Sequence, residues 1–174
     1  MLKYNQTVNL IYIMTKKIFL ILVISFFSVN SYSQNRFVAG GRLGLSVAGG
    51  VETSPGFQIG PMGEYFFNPS NTDMALGTEL NINTQAGVPV EWANYFKYFI
   101  MINRIDMKPY VDGGLSLWFY TGGPSLALRF GGGINFLVAP NIYIPADIQI
   151  GPIFATGSSV FYFALTTGIR YELP

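Results

Sequence analysis

The residues able to do chemistry are few in kind. The chain contains neither His nor Cys. Hydrolases and acyl transferases that use His beside Ser or Asp as the base cannot be built from it. Zinc and copper lose both of their favoured ligands. No cofactor or metal is therefore expected. Carboxylates remain, and a pair such as Glu79 with Glu91 could share acid–base work. Charge-paired filling of an interior is the simpler use of the same residues, and no catalytic residue is assigned. Gly40-Gly41-Arg42-Leu43-Gly44 has the glycines of a phosphate loop. It lies inside a strand-like stretch, however, and not between a strand and a helix. There, glycines act as bends and thin spots that let a narrow sheet close on itself.

The elements that must position these groups are clearest at the end of the chain. Ser159 to Leu173 reads SVFYFALTTGIRYEL. Phe161, Phe163, Leu165, Thr167, Ile169, Tyr171 and Leu173 fall on one parity, almost all apolar. Tyr162, Ala164, Thr166, Gly168, Arg170 and Glu172 fall on the other. A period of two predicts a strand with a different solvent on each face. Ordinary strands run about 5–6 residues, whereas a tilted strand crossing a bilayer needs more.

From Gln34 onward about eight such segments are predicted, divided by turn residues. They are 37–48, 57–67, 74–84, 88–100, 109–120, 125–138, 142–153 and the terminal stretch. Gly49 to Pro55 reads as a loop. Asn68 to Asn71, Asn103 to Asp106, Thr121 to Pro124, Pro140-Asn141 and Thr156 to Ser158 read as turns. Arg42, Glu64, Glu79, Glu91, Lys97, Asp112, Arg129, Asp147 and Arg170 all fall on the face opposite the large apolar residues.

That segregation decides between two kinds of barrel. A soluble eight-stranded barrel is apolar inside and polar outside. Here the outer set is oily and the inner set carries the ions. A lipid-facing Arg or Lys costs about 2–4 kcal/mol at the bilayer midplane, a sufficient reason for the pattern. The expected fold is all-β, an eight-stranded antiparallel up-and-down transmembrane β-barrel. An even strand count puts both termini in the periplasm. Tyr65, Phe67, Tyr98, Phe136 and Tyr171 would then lie near the inner interface, with Trp92, Phe119 and Phe161 nearer the outer one.

Composition agrees. Charged residues make up 11 % of the 174 residues and hydrophobic ones 50 %, against about 25 % charged in ordinary globular chains. After residue 33 no run of roughly 18 apolar residues offers a spanning helix. The net charge of +1 gives no reason to expect nucleic acid.

Residues 1–33 read as a cleaved secretory signal. Lys16 and Lys17 precede the apolar Ile18 to Phe27, and Ser31-Tyr32-Ser33 supplies a small-x-small cleavage site. Met14 reads as the start of that signal, with residues 1–13 an extension in front of it. Cleavage predicts Gln34 as the mature N-terminus and residues 34–174 as an outer-membrane β-barrel. It removes Lys3, Lys16 and Lys17, so ten basic residues fall to seven against nine acidic ones, a mature charge of −2.

With these segments in place, the chain resembles the small porin-like proteins with an outer-membrane β-barrel domain, eight-stranded barrels of the OmpX/OmpA type. The resemblance rests on Lys108-Pro109-Tyr110-Val111-Asp112-Gly113-Gly114, similar to the family's opening of a central strand, and on Gly131-Gly132-Gly133-Ile134-Asn135-Phe136. Thr166, Gly168, Tyr171 and Leu173 resemble the C-terminal signal by which such barrels are recognised for insertion, with Pro174 one residue beyond the usual end. The resemblance implies location and fold more than activity. Outer-membrane lipid, and the barrel assembly machinery during biogenesis, are the expected partners; no small-molecule ligand is identifiable. An eight-stranded barrel is only just wide enough for side chains to fill, and Tyr110, Trp118, Tyr143 and Tyr162 are large inward residues. The expected protein is a non-enzymatic outer-membrane barrel with a closed, charge-filled lumen and a structural, adhesive or envelope-assembly role. The alternative is a narrow porin-like channel for small solutes.

Overall fold

The computed structural model describes residues 36–49, 54–67, 74–84, 89–104, 106–120, 123–155 and 157–173. The predicted export signal, the Gln34 cleavage point, the whole turn at 68–71 and Pro174 lie outside the described residues. Among the described residues no helix is long and apolar enough to cross a membrane.

Eight strands follow one another: β1 Phe37–Gly49, β2 Ser54–Phe66, β3 Met74–Asn83, β4 Val90–Phe99, β5 Met107–Tyr120, β6 Gly123–Ala139, β7 Ile142–Ala155 and β8 Ser158–Glu172. Each pairs antiparallel with its successor, and β8 returns to β1, so the sheet is a closed barrel. The closing seam runs from Val38 opposite Glu172 to Gly49 opposite Phe161. Closure leaves no free strand edge.

The alternation of the sequence becomes the two faces of the wall. Along β3 and β4, exposed and buried residues alternate almost without a break. Trp92, Phe96 and Tyr98 point outward, while Glu91, Tyr95 and Lys97 point inward. Phe57 is 64 % exposed and Ile169 61 %, although both belong to the largest apolar class. The outward aromatics Phe37, Tyr65 and Phe67 form two contacts, Phe37 with Tyr65 and Tyr65 with Phe67, toward the rim where β1 begins and β8 ends, with ring centroids 5.1 and 5.8 Å apart.

The strands extend beyond several predicted turns. β2 takes up Ser54 and Pro55, which pair with Ala48 and Val47. β6 takes up Gly123 and Pro124, opposite Tyr120 and Phe119. Backbone groups at these ends gain ladder partners that a loop would not supply. β4 begins at Val90, with Pro89 O accepting the Asn83 N–H at 3.0 Å. The β6–β7 turn at Pro140-Asn141 stays tight because Asn141 takes φ 62°, a left-handed conformation that Asn tolerates. A register shift between Leu137 and Ala139 precedes it.

Candidate functional site

The candidate site is the barrel interior, which the strands fill in three layers. Toward the rim where β1 begins and β8 ends, Val38, Phe66, Ala75, Phe99 and Tyr110 form an apolar plug. Phe66 stacks on Phe99 and Phe99 packs on Tyr110, both at 5.6 Å between centroids. Toward the opposite rim, Trp118, Ala127, Ile153, Tyr162 and Ala164 form a second. Trp118 lies 5.5 Å from Tyr162, and its indole N–H donates to Ser116 Oγ at 3.1 Å.

Between the plugs lie all nine of the ionisable residues singled out in the sequence. Two carboxylates act as hubs. Glu64 of β2 accepts from the Lys97 ammonium at 2.5 Å, from the Tyr95 hydroxyl at 3.0 Å, and from Arg170. Glu79 of β3 accepts from Arg42 Nη1 at 2.9 Å, from Asn81 Nδ2 at 3.2 Å, and from Arg129. Arg42 reaches further, pairing through Nη2 with Asp147 Oδ2 at 2.9 Å. The Thr166 hydroxyl donates to that same oxygen at 3.2 Å. These contacts join seven strands across the lumen, all except β5.

Aromatic faces complete the layer. The Lys97 ammonium lies 4.0 Å from the Tyr110 ring centroid, and the Arg129 guanidinium 4.9 Å from that of Tyr95. Such contacts are worth about 2 kcal/mol or more when desolvated. Gly77 makes room for the Tyr95 ring, since a Cβ there would lie 2.2 Å from ring carbon Cε2.

The remaining predicted site residues are held differently. Glu91 sits beside Glu79 through a shared amide, Asn81 Nδ2 donating to Glu91 Oε2 at 3.0 Å. The pair that could have done acid–base chemistry is thus fully buried, with Glu79 bound by two guanidinium groups. Asp112 makes no ion pair among the described residues. Of the C-terminal motif, Thr166 points inward, whereas Tyr171 and Leu173 point outward. The Leu173 N–H donates to Phe37 O at 2.7 Å, and Gly168 pairs with Arg42 in the seam.

Three pairs of contributors were not singled out from the sequence as site residues. Phe66 and Phe99 share parity with Glu64 and Lys97, a signal sufficient to place them inside. Tyr95 and Asn81 share the inward parity as well, but their bridging depends on cross-lumen proximity. Lys108 and Glu172 form a pair at 3.1 Å near the rim, with Lys108 4.5 Å from the Tyr143 ring.

No family model matches the chain and no curated protein matches it. Solved structures do. Neisserial surface protein A superposes with a TM-score of 0.65 at 20 % identity, covering 79 % of this chain and 97 % of that one. The N-terminal β-barrel domain of Pseudomonas aeruginosa OprF gives 0.54 at 13 % identity, covering 76 % and 97 %. The outer-membrane protein OprG of the same organism gives 0.52 at 10 % identity, covering 80 % and 95 %. The chain thus has the closed eight-stranded fold seen in small outer-membrane barrels.

Proposed function

We propose that the protein is an integral outer-membrane barrel with a closed, charge-filled lumen, serving a structural or envelope-assembly role. The observation that carries this reading is the inverted wall. Every strand turns large apolar residues outward, among them Leu43, Ile59, Leu76, Trp92, Leu115 and Phe130, while the nine ionisable residues are buried inside. Soluble monomers rarely expose contiguous apolar patches larger than a few hundred Å². A band that encircles the molecule suits hydrocarbon instead, and a closed sheet satisfies every backbone group there.

The remaining parts of the reading follow from the sequence. Residues 1–33 direct export through the secretory pathway and are removed. Both termini face the periplasm. Thr166, Gly168, Tyr171 and Leu173 are read by the barrel assembly machinery, and outer-membrane lipid surrounds the finished wall. A structural role is preferred to an adhesive one because the connections at the rim away from the termini are short. They span 50–53 after β1, 84–89 after β3, 121–122 after β5 and 156–157 after β7, at most six residues each, whereas outer-membrane barrels typically carry their longer loops on the extracellular side.

Two plugs and an ion-paired layer stand in series across the lumen. Purified folded protein in planar bilayers is therefore expected to give no stable conductance steps of porin size. Reproducible large steps would overturn the closed-lumen reading. The narrow-channel reading is favoured by one observation only, the residual accessibility of Asp112 (8 %) and Thr166 (6 %) inside the barrel.

A further inference from the structure

One part of the inner wall has no inward side chain at all. Between Arg129 and Asn135 the two inward positions of β6 are Gly131 and Gly133. A Cβ on Gly131 would lie 2.6 Å from Asp112 Oδ1, and a Cβ on Gly133 would lie 2.6 Å from Asp147 Oδ1. β5 and β7 thus each lean a carboxylate over the same bare strip, and neither Oδ1 has a hydrogen-bond partner among the described residues. Gln149 is the register partner of Gly131, is 1 % exposed, and has both amide atoms unpartnered. Asn135, next inward on β6 and fully buried, is in the same condition.

Unpartnered buried polar atoms are uncommon in folded proteins, and each calls for a partner. The partner's charge follows from the layer as a whole. Its carboxylates are Glu64, Glu79, Glu91, Asp112 and Asp147, its cations Arg42, Lys97, Arg129 and Arg170. One positive charge is lacking. Some space remains beside the two aspartates: Asp147 and Asp112 keep 4 % and 8 % of their surface, whereas Lys97, Glu91 and Arg129 keep none.

We propose that the Gly131–Gly133 strip forms a lumenal site for a monovalent metal cation of sodium type. The two Oδ1 atoms of Asp112 and Asp147 are its anionic ligands. The amide oxygen of Gln149, opposite Gly131, is its neutral one. All three are hard oxygen donors, which suit alkali and alkaline-earth ions over transition metals. The single missing charge selects a monovalent ion. The glycines are required because a side chain at either would occupy the place of a liganding oxygen. The site needs the closed barrel but not its placement in a membrane.

The test is equilibrium unfolding of the full chain, folded in detergent, in sodium, potassium, calcium or choline chloride at equal ionic strength. At a sodium concentration ten times its dissociation constant, the folded-to-unfolded ratio should exceed that in choline about elevenfold. Asp112→Asn should abolish the difference. Gln149→Lys, which supplies a tethered ammonium, should fold in choline and no longer respond to sodium. Equal stability of the wild type in sodium and choline would overturn the site. So would an undiminished sodium effect in either variant, and the lysine variant carries the test if Asp112→Asn does not fold. A larger effect of calcium than of sodium would overturn the monovalent assignment. Conductance is a separate measurement, so a failure here leaves the closed-lumen reading to its own test.

Discussion

Glu79 and Asp112 lie in one charged layer and are held in opposite ways. Glu79 sits between the guanidinium groups of Arg42 and Arg129, which link β1, β3 and β6 across the lumen. Asp112 leans over bare backbone on a neighbouring strand and meets no cation within ion-pair distance among the described residues. Inside a barrel, then, burial alone does not define a carboxylate's role. A hub carboxylate ties opposite walls together, and the loss of Glu79 strands Arg129 and leaves Arg42 with Asp147 alone. Asp112, over the glycine strip and without an ion pair among the described residues, ties no walls together by itself and leaves room for something mobile.

The contrast is broken most directly at the hub. Glu79→Ala removes the ion pair of Arg129 and one of the two made by Arg42, and should destabilise the barrel by about 3–5 kcal/mol. The midpoint of urea unfolding in detergent measures it. A loss below about 1 kcal/mol would place Glu79 in the same class as Asp112.

A charge placed on the other wall extends the comparison. Leu128→Arg and Leu165→Arg, both outward, should each cost about 2–4 kcal/mol in a bilayer. Thr166→Arg points inward beside Asp147 and should act through crowding and charge balance. The gel shift between unheated and boiled samples reports folding. Equal tolerance of Arg at Leu128 and at the exposed Asn103 would contradict a lipid-facing wall.

Two smaller effects sharpen it. Gly77→Ala drives a methyl group into the Tyr95 ring that serves the Glu64 hub, and should cost about 1–3 kcal/mol. The same unfolding assay applies, and an unchanged midpoint would mean that the ring moves freely. At the rim, Lys108→Gln breaks a partly exposed pair with Glu172 and should cost less than about 1 kcal/mol. A cost rivalling that of Glu79→Ala would show that the rim is as dry as the centre.

The strands and the direction of their side chains were legible because a period of two is a local property. Arg42, Leu43 and Gly44 declare their faces from neighbours alone, as do Glu91, Trp92 and Tyr95. The cross-lumen partners were not legible. Arg42 meets Glu79 two strands away and Asp147 on the other side of the seam, which depends on how far the closing ladder is staggered. The plug of Phe66 and Phe99 was legible by parity but is easily passed over, since apolar residues occur on both faces near the ends. The extra length of β2 and β6 was hidden by Pro55 and Pro124, which read as turn residues until a neighbouring strand is there to pair with.

The seam between β1 and β8 has a consequence for how the barrel forms. The other ladders join consecutive strands, several through connections of only a few residues, and such local pairings close at small entropic cost. The seam joins strands from opposite ends of the barrel's sequence and must wait for the rest, as non-local pairings generally do. Until it closes, β1 and β8 are open edges with their backbone groups unpaired. Arg42 and Arg170 stand on those two edges, while their partners Glu79 and Glu64 are carried by β3 and β2. Arg170 therefore meets Glu64, and Arg42 meets Asp147, only when β8 docks on β1, so the last ladder and the ion pairs across it form in a single event. The charged layer thereby acts as a latch on closure.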